Sequence, residues 1–147
     1  MMKIFINTIV FNKSLVDGPG VRTLIFFQGC DIHCPFCQNK STWNIKDGNA
    51  ISMDELYSLI SDKSFNKKIT ITGGEPLLQK EGLLKLVEKL DENGFDIALY
   101  TGHQKEEVPQ EILKHLTYLK YGPFIQGEKT TIKPYVGSKN QIFEKLR

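Results

Sequence analysis

Residues 21–121 switch repeatedly between two hydrophobic periods, and that alternation restricts the fold more than any other feature. Val21 to Gln28 (V-R-T-L-I-F-F-Q) is a nearly unbroken apolar run rich in β-branched and aromatic residues. It reads as a buried strand. Lys68 to Thr72, Ile97 to Tyr100 and Tyr118 to Tyr121 repeat the signal. Helical patterns lie between them. Ser52-Met53-Asp54-Glu55 is a capping box, and Leu56, Leu59 and Ile60 then share one helical face. Lys80 to Glu92 carries a wide apolar face of Leu83, Leu84, Leu86, Val87 and Leu90, and Gly94 suits the stop. Pro109 to Leu116 begins with proline in the favoured first turn. Short strand–helix links imply parallel strands joined by helical crossovers. Four such units are too few for a closed eight-stranded barrel. The expected fold is α/β: an incomplete, open β/α barrel of parallel strands with helices outside, formed by residues 1–147 as a single domain. Residues 3–10 read as a further strand of mixed polarity.

Ligands of β/α folds gather at the carboxyl ends of the strands. The loops expected there are Gly73-Gly74-Glu75-Pro76, Thr101-Gly102-His103, Gly122-Pro123-Phe124 and the stretch Cys30-Asp31-Ile32-His33-Cys34-Pro35-Phe36-Cys37. That last stretch holds all three cysteines, spaced C-x-x-x-C-x-x-C. Closely spaced soft thiolates suit a soft metal centre. A closed structural zinc site wants four ligands. A cubane iron–sulfur cluster usually takes one thiolate per iron, so three cysteines leave one iron open. The odd cysteine count argues against a disulfide framework. A zinc knot using His33 stays open as an alternative, although His33 directly precedes Cys34 and adjacent residues rarely point at one ion. The spacing also fits one face of a buried helix, but Pro35 inside it and Gly29 before it disfavour a helix.

Composition excludes several classes. Apolar residues make up 40% and charged residues 24%, an ordinary soluble balance, and the net charge of +2 is too small to argue for nucleic acid. No apolar run is long enough to span a bilayer. The N-terminal stretch is interrupted by Asn7 and Asn12-Lys13, with no small-residue cleavage site after it. Unpaired thiols without an export signal suggest a reducing cytoplasm. From Lys120 onward six Lys and Arg face two acids, a mildly basic tail. Val16 to Arg22 contains a Gly-Pro-Gly turn, and Arg22 by itself reads as a salt-bridge partner.

The cysteine triplet, with the aromatic Phe36 before its last member, resembles that of radical S-adenosylmethionine (SAM) enzymes, and so does G-G-E-P after a strand. The resemblance implies a radical SAM type barrel whose cofactors are a [4Fe-4S] cluster on Cys30, Cys34 and Cys37, and SAM. It implies SAM contacts from Phe36, Cys37, Gln38, Gly73, Gly74 and Glu75. Two residues without Cβ leave backbone amides and carbonyls open to a zwitterionic amino acid end. The chemistry implied is one-electron cleavage of SAM to methionine and a 5′-deoxyadenosyl radical, with the protein supplying ligation and orientation. No catalytic acid or base is needed; His103 and His115 are bases only in another scheme, and capping or exposed roles are their ordinary use.

D-G-P-G-V-R at residues 17–22 resembles the signature of glycyl-radical-enzyme activases. Asn39 to Trp43, Tyr100-Thr101-Gly102 and Gly137-Ser138-Lys139-Asn140-Gln141 resemble the branch serving the anaerobic (class III) ribonucleoside-triphosphate reductase. The implied partners are the large subunit of that reductase and a flavodoxin or ferredoxin-type electron donor. The chain departs from that branch at Tyr121, where an acidic residue often precedes the glycine. Alternatives are activation of another glycyl radical enzyme such as pyruvate formate-lyase, a deazaguanine-forming type of small-molecule enzyme, or a non-catalytic zinc-binding adaptor.

Overall fold

A computed structural model describes residues 2–14, 18–30, 41 and 43–147, the side chains of residues 13 and 14 excepted. Seven strands form one sheet in the order β3-β1-β2-β4-β5-β6-β7. They are β1 (Lys3–Ser14), β2 (Arg22–Phe27), β3 (Asn49–Ser52), β4 (Lys68–Gly73), β5 (Asp96–Tyr100), β6 (Tyr118–Tyr121) and β7 (Ile142–Lys145). The helices are α1 (Met53–Lys63), α2 (Lys80–Glu92) and α3 (Gln110–Leu113).

The centre of the sheet is parallel, as the alternation demands: β2 pairs with β4, β4 with β5, and β5 with β6. Its flanks are not. β1 runs antiparallel to β2, β3 antiparallel to β1, and β7 antiparallel to β6. The sheet is therefore mixed, and it stays open between β3 and β7. Its fold is the expected open α/β arrangement, with antiparallel edges added to the parallel strands.

One face of the sheet is apolar. Ile25 and Phe27 of β2, Ile69 and Ile71 of β4 and Ile97 and Leu99 of β5 are buried in the core together with α1 and α2. Leu56 and Ile60 come from α1; Leu83, Leu86, Val87 and Leu90 come from α2. Successive strand side chains alternate faces, so Arg22, Thr70, Tyr100 and Lys120 belong to the opposite face. There the Lys120 ammonium lies 4.4 Å from the Tyr100 ring centroid. Phe143 of β7 stacks on Tyr118 and meets Tyr100 edge-on.

Ser52 caps α1 by accepting from Glu55 N at 3.2 Å. Gly94 ends α2 at a φ of +80°, the left-handed conformation that a helix stop requires. The third helix is shorter than the expected 109–116. It stops at Leu113 because the chain must turn back to the sheet, where Thr117 N donates to Ile97 O.

The amino ends of the parallel strands are locked by Arg22, which is fully buried. Its guanidinium donates to Thr70 Oγ1 (2.8 Å), Pro19 O (2.8 Å), Ile69 O (2.9 Å), Asp96 O (3.0 Å) and Asp96 Oδ1 (2.8 Å). Gly20, at a φ of +83°, has the positive φ that the third position of a type II turn needs. The described part of D-G-P-G-V-R, Gly18 to Arg22, is thus a structural plug at the end of the sheet opposite the cysteine loop. Arg22 is the salt-bridge partner its type suggests.

Candidate active site

Cys30 follows β2 directly and is half-buried at the carboxyl ends of the parallel strands. Cys34, Cys37, Phe36, Gln38 and His33 lie outside the described residues. The stems of their loop are tied by protein bonds. Cys30 N donates to Trp43 O at 3.0 Å. The Gln28 side chain is fully buried, and its amide donates to Ser41 O (2.8 Å) and Asn44 O (2.7 Å). Asn7 Nδ2 donates to Gln28 Oε1 at 2.9 Å and orients that amide. Gly29 has a φ of +100°, and a Cβ there would sit 2.8 Å from Leu78 Cδ2. Sequence reading missed Gln28 and Gly29; a glutamine ending an otherwise apolar strand was the available signal.

The Gly73–Pro76 loop lies against the start of the cysteine loop. Glu75 N donates to Gly29 O at 2.7 Å, and Gly74 N donates to Phe27 O at 3.1 Å. Gly73 has a φ of +122°, and any Cβ there would overlap the backbone N and O of Phe27. The smallness of Gly73 is therefore required by β2 itself.

Glu75 is fully buried. Its Oε2 accepts from Leu77 N (3.0 Å) and Thr101 Oγ1 (2.8 Å), and its Oε1 accepts from Gly102 N (2.7 Å). Burial pushes the carboxyl above its ordinary range, while these three hydrogen bonds pull against that rise. The Glu75 carboxylate is thus occupied by protein donors, and its loop presents backbone toward Cys30.

The other two rim loops follow in the same row. Gly122 N donates to His103 O at 2.9 Å. His103 Nδ1 pairs with Glu107 Oε2 at 2.9 Å. The G-S-K-N-Q segment folds back on Gly122-Pro123-Phe124. Gln141 Nε2 donates to Gly122 O (3.0 Å), Asn140 Nδ2 donates to Pro123 O (2.8 Å), and Gln141 Oε1 accepts from Gly137 N (2.8 Å). Tyr121 packs against the core and its hydroxyl donates to Glu144 Oε1 at 3.2 Å. Glu144 also accepts from Lys105 at 2.7 Å. That bond, first among several causes, holds the Glu144 carboxyl low and the Lys105 ammonium high. Burial, then the Glu144 bond, raises the Tyr121 phenol. His115 is placed away from this rim, paired with Asp91 of α2 at 2.8 Å.

A cavity of about 690 Å³ opens on the rim between Phe5, Ile45, Leu77, Leu78, Lys80 and His103. Its size suits a small molecule. Among the described residues, no helix is long and apolar enough to cross a membrane.

The observations fit an iron–sulfur site. Cys30 stands at a strand's carboxyl end, its loop is closed at both stems, and a glycine turn lies beside it. Three thiolates are the soft donor set such a cluster uses.

Comparison with known proteins agrees. Residues 16–144 match the family described as a 4Fe-4S single cluster domain. The anaerobic ribonucleoside-triphosphate reductase-activating protein of Escherichia coli (strain K12) is 31% identical over 144 residues, covering 90% of this chain and 94% of the relative. The protein of the same name from Enterobacteria phage T4 is 34% identical, covering 90% and 88%. The pyruvate formate-lyase-activating enzyme of Clostridium pasteurianum is 40% identical over 109 residues, 71% of this chain, but the match spans just 46% of that longer relative. In fold, the chain is similar to the crystal structure of QueE from Escherichia coli, with a TM-score of 0.61 at 22% identity over 81% of this chain and 70% of that one. The chain belongs to the 4Fe-4S single cluster domain family, and through it to the radical SAM enzymes, whose cofactors are a [4Fe-4S] cluster and SAM.

Proposed function

We propose that this protein is a glycyl-radical-enzyme activase acting on an anaerobic ribonucleoside-triphosphate reductase. The observation that carries the reading is the reach of the match: relatives with that name align over nearly their whole length. When bound, a reduced [4Fe-4S] cluster with SAM supplies one-electron cleavage of the carbon–sulfur bond, giving methionine and a 5′-deoxyadenosyl radical.

The chain's own residues bind and orient. Cys30, Cys34 and Cys37 hold the cluster. The backbone of Gly73, Gly74 and Glu75 holds the amino acid end of SAM, and Phe36, Cys37 and Gln38 border its remainder. The partner is the large reductase subunit, and a flavodoxin or ferredoxin-type protein in a reducing cytoplasm supplies the electron. Residues 1–147 work as one domain. Hydrogen-atom transfer needs close approach to the target glycine, and a sheet left open between β3 and β7 is compatible with a partner segment reaching the rim.

The test mixes reconstituted protein, SAM, reductant and large reductase subunit without oxygen and looks for a glycyl radical by electron paramagnetic resonance. A doublet on the reductase, lost when its target glycine is changed to alanine, supports the reading. The 40% identity to the pyruvate formate-lyase-activating enzyme favours one second reading. A doublet formed with pyruvate formate-lyase alone would select it. SAM cleavage with neither partner labelled would point to a small-molecule substrate.

A further inference from the structure

Between β6 and β7 the chain leaves the sheet as a small hairpin. Lys129 bridges to Ser138, Thr130 N donates to Gly137 O at 3.1 Å, and Lys139 N donates to Glu128 O at 2.8 Å. Its tip, residues 131–136, reads T-I-K-P-Y-V. The tip is held from inside. Thr130 Oγ1 accepts from Ile132 N at 3.2 Å, and the Lys133 ammonium donates to Lys139 O at 3.1 Å and to Gln141 O. Tyr135 stands at a φ of +63°, a backbone conformation costly for a bulky residue. Its ring lies 4.8 Å from that of Phe143 in β7, so the tip rests against the open edge of the sheet. All this order presents one apolar side chain to water: Ile132 is 92% exposed. Ile125 and Ile142, at the two feet of the hairpin, are exposed as well. Among the described residues these are three of the five exposed large hydrophobic side chains. A single exposed isoleucine needs no explanation. A rigid hairpin that groups three of them beside an opening does. The opposite edge, β3, exposes Asn49 and Ala50 instead. The hairpin and β7 also expose Lys129, Lys139 and Lys145, whereas Glu128 and Glu144 are half-buried and Glu144 is bonded to Lys105.

We propose that this hairpin is the docking element for the large reductase subunit, with Ile132 as its anchor and Ile125 and Ile142 beside it. This rests on the activase reading above. A partner segment that reaches the rim through the gap between β3 and β7 lies along one of those two edges. Of the two, the β7 edge offers apolar area for a stable contact and positive charge to draw an acidic surface. The partner surface it fits is an apolar recess ringed by carboxylates. The hairpin is ordered before contact, so docking costs little entropy in it. The tip isoleucine fills the recess, and the lysines speed the encounter more than they hold it.

The test compares wild type with Ile132→Asp, Ile132→Ala and the combined charge reversal of Lys129→Glu and Lys139→Glu. Phe65→Asp is the control, since Phe65 is exposed between α1 and β4, at the other end of the sheet. Dithionite-driven SAM cleavage without the reductase should be unchanged in every variant. The Kd for the large subunit, measured without oxygen, should rise about tenfold or more in Ile132→Asp and by less in Ile132→Ala. The charge reversal should slow association and remove most of its salt dependence. The glycyl radical yield of Ile132→Asp should fall at limiting reductase and recover at excess, a loss of binding and not of chemistry. A defect that appears with a flavodoxin-type donor and is absent with dithionite overturns the proposal and gives the hairpin to the electron donor. An equal defect in Phe65→Asp, or loss of SAM cleavage in Ile132→Asp without the partner, overturns it in favour of general damage. A wild type that leaves the reductase unlabelled removes the activase reading, and the proposal with it. A labelled reductase, with Ile132→Asp binding and activating as wild type does, removes the proposal alone.

Discussion

The two ends of the parallel strands are each held by one fully buried ionisable side chain, Arg22 at the amino end and Glu75 at the carboxyl end. They solve different problems. Arg22 is matched by the Asp96 carboxylate and three backbone carbonyls, so its charge is balanced inside the protein. Glu75 is met by two amides and a hydroxyl. Its hydrogen bonds come from neutral donors, and burial raises the carboxyl above its ordinary range. The amino end is a lock built on an ion pair, and the carboxyl end is a tie between two loops of the rim.

The comparison breaks most severely at the cysteines. Cys30→Ala, Cys34→Ala and Cys37→Ala should each abolish the cluster and SAM cleavage together, while urea unfolding of the cluster-free protein stays close to wild type. Reconstituted wild type that carries zinc without sulfide would remove the rim's assigned role.

Arg22→Ala should invert that result. It strands the Ile69 and Pro19 carbonyls and the Asp96 carboxylate, for a loss of about 3 kcal/mol in unfolding free energy. Enough folded protein at low temperature should still bind iron. A loss under about 1 kcal/mol would mean that the plug is not the lock of the amino end.

Gly74→Val sharpens the rim side. The brown cluster should persist while SAM affinity falls at least about tenfold, since approach to the turn is blocked. Unchanged affinity in a folded variant would return the turn to a plain strand-to-helix link.

The smallest effect belongs to neither end. Burial works to raise the Asp91 carboxyl, but hydrogen bonds from His115 and Arg147 outweigh it and hold it low. A depressed carboxyl contributes stability above its unfolded value of about 3.9 and loses it as pH falls through the lower folded value. Denaturation midpoints should drop in that acid window, and Asp91→Asn should flatten the drop by under about 1 kcal/mol. An unaltered pH profile in Asp91→Asn would show that the contact adds no stability.

Much of this architecture was legible because it is written locally. Each parallel strand carries its own apolar run, and the capping box at Ser52 and the stop at Gly94 lie within a few residues of what they control. The cysteine spacing names its chemistry without a partner. The edge strands escaped because Asn49–Ser52 and Ile142–Lys145 are four residues each, largely polar, and defined by neighbours far away in sequence. The Glu75–Thr101 bond escaped for the same reason: Thr101 is 26 residues downstream. Gly73 was readable as a small residue, but the need for that smallness comes from the Phe27 backbone. Tyr121 stood out as a departure, and its partner Glu144 comes from a strand no periodicity signals.

Gln28 has one more consequence. Its amide and the Cys30–Trp43 bond close the two stems of the cysteine loop with protein atoms alone. Bringing together the ends of a free loop of that length costs about 2 kcal/mol in closure entropy. Here folding has already met that cost before any iron arrives. Loss of the cluster therefore leaves the bonds of the stems in place. Repair becomes refilling rather than refolding.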